Sequence, residues 1–240
     1  MILTPHLSRA PVVIVQARSS SQRLPGKVLL EIAGRPLLAY TIERLRQCRT
    51  VREVAIATST QPEDDRIAML GEDLGVHVHR GPLDDVLARF CAAARAFNAT
   101  AVVRISGDSP LIDPEIVDRV VEVFLSAPCD LATNVFPRTF PKGQSVEVAT
   151  VAALERIAIA TADPEDREHA TRYFYAHPEA FAIRNLACDR DLSEIQLSVD
   201  TPDDFALVAR MISSMKQPHW HYGLNELLSL RKSAGLAAVG

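Results

Sequence analysis

A chain of 240 residues, 48% hydrophobic and 23% charged with a formal net charge of −4, can bury a sizeable core as one α/β domain and lacks the basic excess of a nucleic-acid binder. No stretch approaches the roughly 18 apolar residues of a membrane span, and the N-terminus lacks the basic-then-apolar pattern of a secretory signal, so a cytoplasmic protein is expected. The four cysteines, Cys48, Cys91, Cys129 and Cys188, are scattered without a C-x-x-C pair, which argues against a zinc site or a disulfide framework.

Residues 1–11 read as a short arm. Val12–Val15 is a β-branched apolar run and predicts a buried strand. Gly34-Arg35-Pro36 opens a helix through about Cys48, with Leu37, Leu38, Ile42 and Leu45 at helical spacing. A strand over 54–58 and a helix from the capping segment Thr60-Gln61-Pro62-Glu63-Asp64-Asp65 to Leu74 follow. Next come a strand over 76–79, a helix from Asp84 or Asp85 to Phe97, a strong strand over 101–106 and a helix over 114–125. Strand and helix alternate four times, which predicts a mainly parallel open sheet with helices on both faces.

The rhythm changes after Asp130. Strands are expected over 131–134, 146–149, 181–186 and 195–199, with helices over 151–162, 164–177, 202–215 and 224–232. The reading is a single domain with a nucleotide-binding core over 12–130, a smaller mixed-sheet subdomain over 131–195 that supplies acceptor and subunit contacts, and a last core strand with C-terminal helices over 196–240.

Three stretches carry candidate chemistry. In Val12–Lys27, V-V-I-V-Q-A-R-S-S-S-Q-R-L-P-G-K, a strand breaks into a polar loop that holds Arg18, Arg23 and Lys27 just past its carboxyl end. Ligands of open α/β sheets bind there, and small side chains, backbone N–H groups and cations together describe a polyphosphate site. A Walker loop is excluded, because Val28 follows Gly26-Lys27 and Ser21 stands where a glycine is needed; G-x-G-x-x-G is absent. In Arg104-Ile105-Ser106-Gly107-Asp108-Ser109-Pro110, Asp108 follows the strongest strand and can hold a hard divalent cation or cap a turn; Asp113, directly before Pro114, better fits a helix cap. In Leu197-Ser198-Val199-Asp200-Thr201-Pro202, Thr201 suits the cap, which leaves Asp200 unexplained by capping. Two strand-end aspartates beside a cationic loop could share one Mg²⁺.

The spelling A-R-S-S-S-Q-R-L-P-G-K, followed in order by R-I-S-G-D-S-P-L-I-D-P and S-V-D-T-P-D-D-F, resembles the sugar-activating cytidylyltransferases, most closely the spore-coat polysaccharide biosynthesis protein F group. The resemblance implies transfer of CMP from CTP to an acidic sugar by a homodimer. It implies nucleotide contacts from Ala17, Arg18, Ser19, Arg23, Lys27, Arg80, Gly107 and Asp108, with Arg18, Lys27 and Asp108 catalytic and Asp108 and Asp200 holding Mg²⁺. His79-Arg80-Gly81 and Asp84-Asp85-Val86-Leu87 resemble a segment near the nucleotide in these enzymes. Pro141-Lys142-Gly143-Gln144-Ser145-Val146-Glu147 resembles the sugar-side P-x-G-x-x-V-E motif, and Arg167-Glu168-His169-Ala170-Thr171 the R-E-H-x-T motif. These imply acceptor contacts from Gln144, Glu147, Arg167 and His169, with structural roles as the alternative for Glu147, Arg167 and His169. Many relatives carry Asp where Ser145 stands, which leaves the acceptor open. Trp220, between two histidines, reads as packing or a subunit contact. Rival readings are a nucleotidyltransferase for another base or acceptor, and a non-catalytic nucleotide sensor. A dinucleotide oxidoreductase fits the rhythm but lacks the glycine fingerprint.

Overall fold

Alternating β-branched residues in β1 (Val12–Gln16) set the architecture. Val13 and Val15 enter one apolar cluster and Val12 and Ile14 the other, all fully buried. The computed structural model describes residues 10–51 and 53–236, so residues 1–9 of the expected arm lie outside the described residues.

β1 pairs in parallel with β4 (Glu53–Ser59) on one side and β6 (Ala101–Ser106) on the other, and β5 (His77–Gly81) extends the sheet beyond β4. Between β1 and β4 lie a short hairpin of β2 (Glu31–Ile32) and β3 (Arg35–Pro36) and the helix α1 (Leu37–Leu45). The hairpin turns at Ala33-Gly34, both at positive φ, so the helix begins only at Leu37, after Pro36. The helices α2 (Asp65–Asp73), α3 (Val86–Ala96) and α4 (Pro114–Ser126) complete the crossovers. α1, α2 and α4 bury Leu38, Ile67 and Val117 on one face of the sheet; α3 buries Leu87 and Phe90 on the other. Helices thus cover both faces, as expected.

The sheet continues past β6 in the order β5-β4-β1-β6-β8-β7-β9. β8 (Glu147–Thr150) runs antiparallel to both β6 and β7 (Leu131–Thr133), and β9 (Ile183–Asn185) lies parallel to β7 at the edge. The mixed part is therefore continuous with the parallel part. α5 (Val151–Ala160) covers it, followed by α6 (Pro164–Glu168) and α7 (Arg172–Ala176). The single helix expected over 164–177 is broken at His169-Ala170-Thr171, where Ala170 and Thr171 turn inward and are buried.

The strand expected over 195–199 does not form. Leu197 and Val199 are buried as predicted, but their N–H groups donate separately to the carbonyls of Lys142 (2.8 Å) and Asp108 (2.9 Å). These are isolated links rather than a ladder, and they tie the segment to the Asp108 loop. The described residues close with α8 (Pro202–Ser213), which carries a Thr201–Asp204 capping box, and α9 (Leu224–Leu236). Among the described residues no helix is long and apolar enough to cross a membrane.

Candidate active site

β1 and β6 are neighbours, and the chain leaves them for opposite halves of the sheet. Their carboxyl ends form the switch point where open α/β sheets hold ligands. Gln16-Ala17-Arg18 leaves one strand and Ser106-Gly107-Asp108 the other. Gly107 lets them meet: a Cβ there would lie 3.1 Å from the Gln16 carbonyl oxygen and 3.2 Å from the Ala17 Cβ. Its N–H donates to that carbonyl at 2.8 Å.

A cleft of about 740 Å³ opens over this junction. It is lined by Ala17, Arg18, Arg23 and Lys27 of the loop, Asp108, Asp200, and Glu168 and His169 from the end of α6. Gly26, at φ 66°, reverses the chain so that Lys27 points down into the site. The Lys27 Nζ lies 2.5 Å from Asp108 Oδ2 and 2.8 Å from Asp200 Oδ1, with only 11% of its side chain exposed. Burial disfavours the ammonium, but the two carboxylates outweigh it and hold the Lys27 pKa above its ordinary value. Burial would likewise raise the Asp200 carboxyl; hydrogen bonding and charge from Lys27, then the charge of Arg23, hold it below the usual range. Arg23 reaches Asp200 at 3.1 Å from a largely exposed position.

Asp108 and Asp200 thus share one cation, the Lys27 ammonium. Two carboxylates facing a common positive charge are the hard-oxygen donor set that suits a Mg²⁺ which keeps waters and takes substrate phosphates. Among the described residues no cluster of three or more His, Cys, Asp or Glu side chains could form an all-protein cage.

Arg18 is engaged elsewhere: its Nη2 donates to Glu168 Oε1 at 2.6 Å, and this bond holds the Glu168 carboxyl below its usual range. The Arg18 loop and the end of α6 are therefore latched together at the cleft. Ser19 faces a second hollow on the β4–α2 side. Its N–H donates to Asp64 Oδ1 at 2.7 Å, while Asp64 Oδ2 accepts from the Ser59 N–H (3.1 Å) and hydroxyl (2.5 Å). This buried carboxylate pins the loop to the end of β4. Sequence reasoning placed Asp64 among the acids of a helix's first turn and missed this role, for which the sequence carries no signal. Glu168, by contrast, stood inside the quoted R-E-H-x-T segment.

The other expected residues are distributed differently. Arg80 does not line the cleft; it braces the β4–α2 turn, with bonds to the carbonyls of Ser59 (2.9 Å) and Gln61 (3.0 Å) and an ion pair to Asp65 (2.7 Å). Gln144 is fully buried, its amide spent on the Asp113 N–H (2.8 Å) and the Leu111 carbonyl (2.7 Å). Arg167 pairs with Asp85 (2.7 Å) and the Ala158 carbonyl (2.9 Å), joining α6 to the start of α3. Glu147 accepts from Arg104 and Tyr175. His169 lines the cleft and is more than half exposed. The Trp220 segment packs on α1, where buried Arg44 donates to the carbonyls of His219 and Tyr222.

A switch-point cleft with a cationic loop and a paired-carboxylate floor defines a nucleotide-handling α/β enzyme. The cytidylyltransferase family profile matches residues 12–201, and the chain belongs to that family, as a nucleotidyltransferase. It is 30% identical over 199 residues to the spore coat polysaccharide biosynthesis protein SpsF of Bacillus subtilis, covering 80% of this chain and 82% of that one. It is 36% identical over 147 residues to the 3-deoxy-manno-octulosonate cytidylyltransferase of Anaeromyxobacter sp. strain Fw109-5, covering 59% of each. The solved structure of a cytidylyltransferase from Leptospira borgpetersenii superposes with a TM-score of 0.89 at 31% identity, covering 95% of both chains.

Proposed function

We propose that the protein transfers CMP from CTP to an acidic sugar of the octulosonic or nonulosonic type, for surface glycan synthesis, and releases pyrophosphate. The observation that carries this reading is the Lys27 ammonium held between Asp108 and Asp200 at the sheet's switch point. The likeness to SpsF and to the octulosonate enzyme supports the substrate class.

In this mechanism an acceptor oxygen attacks the α-phosphorus in line. The new O–P bond forms as the bond to the β-phosphate oxygen breaks. Lys27, Arg23 and Arg18 bind the triphosphate and balance the charge that grows on its oxygens and on the leaving pyrophosphate. Asp108 and Asp200 hold a Mg²⁺, which supplies Lewis-acid neutralisation of the phosphates when bound. Ala17, Ser19 and Gly107 shape the backbone around the nucleotide, and His169 faces the acceptor from α6. Positioning supplies much of the rate, since nucleophile and phosphate need only be aligned. A cytoplasmic homodimer is part of the proposal.

The test is Mg²⁺-dependent pyrophosphate release, with CTP, UTP, ATP and GTP compared against a panel of ulosonic acids. Release that requires CTP and one acid is expected. Release that ignores the base, or that proceeds equally without an acid, refutes the reading.

A further inference from the structure

The transfer leaves one proton without a destination. The acceptor hydroxyl loses it as its oxygen bonds to the α-phosphorus, and a positioned base that receives such a proton contributes roughly 10²–10⁴-fold to the rate. Asp84, Asp108, Glu168 and Asp200 are the carboxylates that line the cleft. Lys27 is shared by Asp108 and Asp200, Arg23 reaches Asp200, and Arg18 binds Glu168. Each cation of the loop is thus held by a carboxylate of the chain itself, and a triphosphate that claims the cations turns those carboxylates loose. Asp108 and Asp200 together suit the Mg²⁺ proposed above. Glu168 shares no cation with that pair, and among the described residues Arg18 is its only hydrogen-bond and ion-pair partner.

The backbone that carries Glu168 is fixed on either side. Asp163 caps α6 at the Glu165 N–H (2.8 Å), and the His169 N–H returns to the Glu165 carbonyl (2.9 Å). Buried Asp166 accepts from the Thr161 hydroxyl at 3.0 Å, and Arg167 is spent on Asp85 and the Ala158 carbonyl. With both preceding side chains tied to the protein, Glu168 is presented to the cleft, 39% exposed. Asp84 is exposed on the loop before α3, so water solvates it whether or not a nucleotide is bound. The Arg18 hydrogen bond does most to hold the Glu168 carboxyl low; burial opposes it, and the charges of Arg18 and His169 add to it. Loss of Arg18 to the triphosphate removes the main restraint, and phosphate charge nearby favours the protonated carboxyl further.

We propose that Glu168 takes the proton of the attacking acceptor hydroxyl, and that Arg18 blocks it until the triphosphate claims the arginine. The inference rests on the cytidylyl-transfer reading and deepens it. As the acceptor oxygen bonds to the α-phosphorus and the bond to the β-phosphate oxygen breaks, the hydroxyl proton passes to Glu168, which returns it to water when the products leave. CTP therefore has to bind before the base is free.

The experiment follows single-turnover pyrophosphate release from CTP, with Mg²⁺ and the panel of ulosonic acids, for wild type, Glu168→Gln, Glu168→Ala and Asp84→Asn, each with and without added formate. CTP affinity is measured by calorimetry without acceptor. Glu168→Gln and Glu168→Ala should lose roughly 10²–10⁴-fold in rate, while Glu168→Gln binds CTP more tightly than wild type because Arg18 is free. Formate, a small carboxylate, should restore part of the rate to Glu168→Ala, which has room for it, and none to Glu168→Gln. A part that only supports the fold would not lose rate while gaining CTP affinity, and formate would not replace it. The assignment is overturned if Glu168→Gln turns over as wild type does, if rate and CTP affinity fall together, if formate restores nothing to Glu168→Ala, or if Asp84→Asn alone loses the step. Release by wild type and Glu168→Gln alike sinks the base and leaves the transfer reading standing. No release from any protein sinks the transfer reading and the base with it.

Discussion

Replacing Lys27 by alanine tests the centre of the site without any substrate. The ammonium makes two short contacts, 2.5 and 2.8 Å, to carboxylates that are 18% and 27% exposed. Hydrogen bonds to charged groups contribute about 1.5–3 kcal/mol each. Removing the partner of a fully buried ion costs about 3–5 kcal/mol. Water reaches both aspartates, so the loss should be nearer about 2–3 kcal/mol. For a domain of this size that lowers Tm by roughly 4–12 °C. The variant leaves two carboxylates facing an empty position, which a divalent cation can fill. In differential scanning fluorimetry without nucleotide, millimolar Mg²⁺ should therefore raise the Tm of Lys27→Ala several degrees more than that of the wild type, where the ammonium competes. An unchanged Tm, or equal Mg²⁺ responses, would refute the shared-cation geometry. The pKa directions fix the pH window. Lys27 is raised, so its contribution is complete below the ordinary lysine range and disappears as pH rises through the folded-state value. Asp200 is lowered, so its contribution is present above the ordinary aspartate range and disappears as pH falls through the folded-state value. The excess stability of wild type over Lys27→Ala should accordingly be flat across neutral pH and shrink at both extremes.

Asp108→Ala should abolish turnover while the circular dichroism spectrum is kept, since the side chain stands at the cleft and outside the apolar clusters. Glu168→Gln releases Arg18 for the triphosphate and should tighten CTP binding roughly two- to fivefold by calorimetry, a range typical of a solvent-accessible pair; weaker binding would show that the latch assists the nucleotide. Asp64 is held below the usual carboxyl range: burial opposes ionisation, and bonds from Ser59 and Ser19 outweigh it. Its stabilisation is therefore present above about pH 4 and lost as pH falls through the lower folded-state value. Asp64→Asn should flatten the acid limb of a denaturant-midpoint profile and raise the KM for CTP by loosening Ser19; an unchanged acid limb would remove Asp64 as the loop's anchor.

Much of this site was legible in the chain because it rests on strand ends. A β-branched run followed by a polar loop locates Lys27, and acids after apolar runs locate Asp108 and Asp200, whatever the details between them. The less legible parts depend on contacts distant in sequence. Leu197 and Val199 carry a strand's apolar pattern, yet their N–H groups meet carbonyls from two different loops, which no local pattern encodes. Residues 164–177 carry helical propensity, but buried Ala170 and Thr171 break the helix. Gln144 and Arg167 sit in motifs that suggested the acceptor, while their amide and guanidinium groups brace neighbouring backbone and Asp85. A motif marks where such residues lie in the chain; tertiary partners decide what they touch.

The most direct test of the central claim follows the α-phosphate of CTP. With α-labelled CTP, Mg²⁺ and the ulosonic acid that supports pyrophosphate release, the wild type should carry the label into a CMP–sugar product, and Asp108→Ala should leave it in CTP. Label that stays in CTP with the wild type across the panel, appears only as free CMP, or is transferred equally by Asp108→Ala would contradict the account.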